Sequence, residues 1–189
     1  MCFSPTASFV ASAALTVVGV ATLRETKQRA EFPFALIPLM FAAQQLCEGI
    51  LWLTFSSGDV AVREYATYAF TGFSRFLWPI YVPLAVYFLE PVLRRKKILL
   101  GFVIVGTIVG TYLLYFIIQG RMTAEIIGHH IVYVSPHLNP FATMIAYVAA
   151  TCVSSLFSTY RGVQIYGLLS IIGFAGAYII SEVAAFSVW

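Results

Sequence analysis

Apolar residues fill six stretches of this chain, each about as long as a membrane crossing, and the short loops between them hold nearly all of the charge. A helix needs roughly 20 residues, at about 1.5 Å rise each, to cover about 30 Å of hydrocarbon. The pattern predicts spans at Pro5–Leu23, Pro33–Phe55, Ala66–Glu90, Ile98–Gln119, Phe141–Ser158 and Val163 onward to Trp189. The last stretch is longer than one crossing requires, and Ser181-Glu182 interrupts it. The expected fold class is all-α: a polytopic transmembrane bundle of six spans. No polar segment of ~50 residues is left over for a soluble module, so residues 1–189 read as a single integral membrane domain.

Charge placement adds an orientation. Arg24, Lys27 and Arg29 fall between spans one and two, Arg94, Arg95, Lys96 and Lys97 between three and four, and Arg161 between five and six. The alternate loops carry only Arg63 and Arg121. Basic residues in short loops stay in the cytoplasm, so the N-terminus is expected outside. A cleaved signal peptide needs positive charge before its apolar run, and here it comes after, so span one reads as uncleaved. Composition agrees: 60% of residues are hydrophobic, 10% are charged, and the mean hydropathy is +0.88. The net charge of +3 sits at the membrane edges. It suits the lipid surface and predicts no nucleic-acid partner. The localisation implied is the cell membrane, as a multi-pass protein.

Small residues recur at helical spacing: Ser8, Ser12 and Thr16 in span one, Gly106 and Gly110 in span four, Gly173 and Gly176 in span six. Such stripes let backbones approach one another, and internal packing is expected ahead of a homo-oligomer seam. Cys47 and Cys152 lie within spans as small apolar residues, so the cysteines predict no disulfide framework.

The residues a bilayer penalises are more informative, since an ionised side chain at helix centre costs at least ~2.5–3.5 kcal/mol on insertion scales. Glu48 shares a face of span two with Gln44, Gln45 and Trp52, at spacings of three and four. Arg75, beside Ser74 and Trp78, lies at a similar depth on span three. The two charges are therefore expected to pair in the outer half of the membrane. Pro79 and Pro83 predict a kink and freed carbonyls beside Arg75, where a hydrated cavity becomes feasible. The expected ligand or ion pocket is built on Glu48, Arg75, Gln44, Gln45, Trp52 and Trp78, with Glu182 reaching the same surface.

A second cluster is predicted outside. His129, His130 and His137 share the loop from Gly120 to Pro140, and Cys2 belongs to the same side. Zinc or copper accepts such ligands, although the spacing matches no familiar metal motif. The alternative for this loop is interfacial packing, as a surface helix or a strand, because its alternation at residues 130–134 is too brief to decide. There is no intramembrane lysine for a retinal linkage, no His-Glu-x-x-His, no Gly-x-Ser-x-Gly and no phosphate-binding glycine loop. No catalytic motif is present.

Met1-Cys2-Phe3-Ser4-Pro5-Thr6-Ala7-Ser8-Phe9 resembles the opening signature of a bacterial family of uncharacterised multispanning membrane proteins. Gln44-Gln45-Leu46-Cys47-Glu48-Gly49 followed by Trp52 is similar to that family's second block. The His-containing loop, Thr151-Cys152 and Ser187-Val188-Trp189 fit the same pattern, so the resemblance spans almost the whole chain. It implies a domain of unknown function with no catalytic residues to carry over. Related chains continue into a further helix, which would make Glu182–Trp189 the start of a seventh span and place Glu182 at an outer turn.

Three functions emerge as expectations: binding or permeation of a small solute or ion, a structural or accessory subunit of a membrane complex, and a metal-dependent membrane enzyme using Cys2 and the histidines. The first assigns Arg75 to an anionic group or Glu48 to a proton or cation. The second calls for a membrane-protein partner.

Overall fold

The computed structural model describes residues 4–120, 122–127, 130–134 and 140–180. Among the described residues five helices are long and apolar enough to cross a membrane, and the first four are α1 (Pro5–Glu25), α2 (Phe32–Ser57), α3 (Val60–Leu89) and α4 (Leu93–Gln119). Between α4 and the next helix lies an antiparallel hairpin of β1 (Thr123–Ile127) and β2 (His130–Val134). A shorter apolar helix, α5 (Phe141–Leu156), occupies the fifth predicted stretch. The fifth long helix, α6 (Arg161–Ile180), occupies the sixth.

Local chemistry sets the ends. The Ser4 hydroxyl accepts from the Ala7 N–H at 3.1 Å, and Pro5 supplies a preset φ in the first turn of α1. Glu31 closes the next loop by accepting the Lys27 and Gln28 N–H groups. Gly58, at φ +75°, ends α2 in the left-handed region that a side chain would resist, and Asp59 then caps Val62 to start α3.

Close packing explains the small-residue stripes. Ser8 and Ser12 are buried against α2, where the Ser12 hydroxyl donates to the Ala42 carbonyl at 2.8 Å. A Cβ on Gly19 would come within 2.5 Å of Leu39, and one on Gly49 within 2.8 Å of Phe9, so α1 and α2 meet almost backbone to backbone. Gly106 and Gly110 serve α4 in the same way: a Cβ would lie 1.8 Å from the Pro79 carbonyl oxygen and 2.8 Å from that of Phe76, respectively. These two glycines are thus spent inside the molecule. The Pro79 carbonyl is one that Pro83, lacking an N–H, cannot engage. Gly176 faces open space.

Two helices depart from α geometry. Residues Gly72–Leu77 of α3 and Ala149–Val153 of α5 form π-helical turns. The Trp78 N–H reaches back five residues to Phe73 and that of Ser154 to Ala149. One core cluster gathers Ile37, Trp78, Val82, Val109 and Tyr147 between α2, α3, α4 and α5. A second seats the hairpin: Met122, Ala124, Ile131 and Tyr133 pack on Leu51, Ala66, Phe70 and Ile117. The loop that alternation left undecided is a strand pair, with Ile131 fully buried.

Candidate functional site

Helix α2 carries the polar residues. Gln44 and Glu48 are 2% and 0% exposed, Gln45 is buried beside them, and Trp52 is partly buried one turn on. The Gln44 side-chain oxygen is engaged: the Trp78 indole N–H donates to Oε1 at 2.5 Å, and the same indole stacks on Phe41 at 4.1 Å between ring centroids. Among the described residues Glu48 has only the Ser8 hydroxyl, 3.5 Å from Oε2, at the long limit of a hydrogen bond. Its Oε1 has no partner among the described residues. Nor do Gln45 Oε1 and Trp52 Nε1, so positions 45, 48 and 52 present two acceptors and one donor along one stripe of the helix.

The expected Glu48–Arg75 ion pair does not form among the described residues. Arg75 instead donates through Nη2 to the Tyr133 carbonyl of β2 at 3.1 Å, under a Phe70–Tyr133 stack with ring centroids 4.5 Å apart. The reason is local. Counting along α3 at α pitch gives a sound depth for Arg75, as the Trp78–Gln44 contact nearby indicates. The π-helical turn holding Arg75 adds backbone, however, which widens the angle between Arg75 and Trp78, so the two no longer share the face that meets α2. The guanidinium therefore meets the hairpin and not the carboxylate.

Proline and the π-turn together strand a carbonyl. The Trp78 N–H is engaged with Phe73, and Pro79 has none, so the Ser74 carbonyl is left without a helical donor. The Tyr147 hydroxyl of α5 supplies it at 2.5 Å. A cavity of about 70 Å³ opens beside this contact, lined by Phe41, Trp78, Tyr147, Cys152 and Tyr166 among others. The prolines predicted a freed carbonyl. Neither the tyrosine that takes it nor the aromatic cavity was evident from spacing, because the partner lies on a distant helix.

Spacing offered no reason to single out Glu90 either. It is 1% exposed at the basic end of α3, where it accepts the Thr159 N–H at 2.6 Å, the Thr159 hydroxyl at 2.5 Å and the Val92 N–H at 3.0 Å. Burial pushes its carboxyl up, but the Thr159 and Val92 bonds and the charge of Arg95 outweigh that and hold it below the usual carboxylate range. A carboxylate just past an apolar run, followed by Pro91, was the available signal.

Cys2, His129, His137 and Glu182 lie outside the described residues, and His130 is described only through its backbone, paired with Ile127 in the hairpin. Among the described residues no group of three or more His, Cys, Asp or Glu side chains is placed to hold a metal ion. No curated protein and no solved structure matches the chain. A family model does match, over residues 1–189: the chain belongs to a family of unknown function, DUF6629.

Proposed function

We propose that this is a multi-pass membrane protein of six spans, N-terminus outside, that binds or conducts a small solute or ion at the polar stripe of α2. Glu48 holds a proton or a cation there, Gln45 and Trp52 extend the stripe, and Arg75 stands at the hairpin side as the group for an anionic partner. The observation that carries this reading is the Oε1 of a fully buried Glu48, which has no partner among the described residues and is flanked by two further polar atoms of which the same is true. A buried acceptor left unmade costs about 1–3 kcal/mol, more when charged. An exchangeable occupant removes that cost.

A structural reading has its own support, since Trp78–Gln44 and Ser12–Ala42 fix the register of α2 against two neighbours. It assigns the protein to a membrane complex as an accessory subunit. Flux separates the two. Vesicles containing the purified chain and a pH-sensitive dye, or loaded with sodium or potassium, are expected to leak faster than empty vesicles, and Glu48→Gln to lower that rate at least tenfold. Arg75→Ala reports separately on anion flux. A wild-type rate equal to that of empty vesicles for proton, cation and chloride sinks the permeation reading, as does a Glu48→Gln rate equal to wild type.

A further inference from the structure

At the basic end, α1 and α6 leave between them a lateral groove of about 670 Å³. Phe34 of α2 and Leu89 of α3 contribute to its lining, as do Ala21 of α1 and Val163 of α6. From Glu25 back to Ala21, and from Gly162 to Tyr166, the lining runs about 6 Å along each helix, so the groove reaches roughly one turn inward from the helix ends. Its size falls within the range of about 300–1,000 Å³ found for small-molecule sites, and its walls are mainly apolar, with a few polar groups, as in such sites.

In a bilayer an apolar groove open to the side gains nothing by recruiting another apolar helix, because lipid tails are as apolar as leucine. An acyl chain is the occupant already present. The rim then decides which lipid. Glu25 and Glu31 both line the groove, and neither carboxylate forms an ion pair among the described residues. The Lys27 and Gln28 N–H groups, both on Glu31 Oε2, together with the charge of Lys27, hold the Glu31 carboxyl below its usual range against the opposing effect of burial. Arg161 stands exposed between Tyr160 and Gly162, two groove residues, and is likewise without an ion-pair partner among the described residues. Two carboxylates in the lining, with Arg161 and Lys27 next to lining residues, complement a zwitterion: an ammonium for the acids and a phosphate for the bases.

We propose that this groove seats one phospholipid with a primary ammonium headgroup, its chain lying on Phe34 and Leu89, its ammonium on Glu25 and Glu31, and its phosphate on Arg161. A primary ammonium has N–H donors to give a carboxylate, whereas a quaternary one has none.

The test is retention of phosphatidylethanolamine, phosphatidylcholine and phosphatidylglycerol of matched chains by the full chain, read by native mass spectrometry from mild detergent. Phosphatidylethanolamine is expected to be retained about tenfold over phosphatidylcholine, the size of one charge-assisted hydrogen bond. Glu25→Gln with Glu31→Gln, which keeps an acceptor for the loop N–H groups, should abolish that preference while leaving the fold. Ala21→Trp, introduced from an exposed position, should exclude all three lipids. Equal retention of the two zwitterionic lipids overturns the headgroup assignment. Retention unchanged by Ala21→Trp overturns the site, and a dimer that Ala21→Trp dissociates shows the groove to be a contact between copies of this chain.

Discussion

Glu48 and Glu90 are the same residue type and equally buried, yet their surroundings are opposites. Glu90 receives three hydrogen bonds of 3.0 Å or less and ties the end of α3 to the loop before α6. Among the described residues Glu48 has one contact at 3.5 Å and an oxygen without a partner. Burial alone therefore does not mark a functional carboxylate. What distinguishes the two is whether the fold itself has met the group's hydrogen-bonding capacity, and for Glu90 it has.

The largest effect expected from this contrast is on stability. Glu90→Ala strands the Thr159 and Val92 N–H groups and removes a charge partner of Arg95. Val92 and Thr159 are exposed residues, so water takes over part of what is lost; at about 1.5–3 kcal/mol for a hydrogen bond to a charged group, the loss should be about 2–4 kcal/mol. The midpoint of thermal unfolding in mild detergent, followed by helical circular dichroism, checks this. A midpoint indistinguishable from wild type would remove Glu90 from the role of a clamp. Thr159→Val is smaller: it deletes the hydroxyl bond and keeps the N–H bond, for about 1–2 kcal/mol in the same assay.

Glu48→Gln should do less still to stability. The carboxylate has no strong partner to lose, and a neutral amide is easier to bury, so a change of no more than about 1 kcal/mol in either direction is expected. Its effect belongs in the flux assay. A Glu48→Gln protein as unstable as Glu90→Ala would erase the contrast and favour a structural role for both residues.

The contrast also shows what the sequence could reveal. The helices were legible because hydrocarbon imposes a minimum apolar length, and four of the six predicted stretches overlap α1 to α4 almost end to end. Glu48 was legible for the same reason, as a charge in an apolar run. Its partner was not. A π-helical turn leaves no sign in hydrophobic spacing, so Arg75 had the expected depth but the wrong azimuth. The hairpin was hidden by its five-residue strands, too short for period-two alternation to stand out against apolar surroundings. Glu90 lay at a span boundary, where a carboxylate is unremarkable until Thr159, far along the chain, is placed beside it.

The smallest effect is the response to acid, because burial works against the bonds that lower the Glu90 carboxyl and only the remainder appears as a shift. The sign is nevertheless fixed. A carboxyl held lower in the folded than in the unfolded chain contributes stability that is fully present above the ordinary carboxylate range and lost as pH falls through the folded-state value. Protonation places a hydrogen on an oxygen that now only accepts, turning one of its contacts with Thr159 or Val92 into a donor facing a donor. Wild-type unfolding midpoints should therefore fall from neutral pH toward strongly acidic pH by more than those of Glu90→Gln, whose amide does not titrate in that window. Parallel pH profiles for the two proteins would mean that the acid response arises elsewhere, and that the bonds around Glu90 are no stronger in solution than the single long one at Glu48.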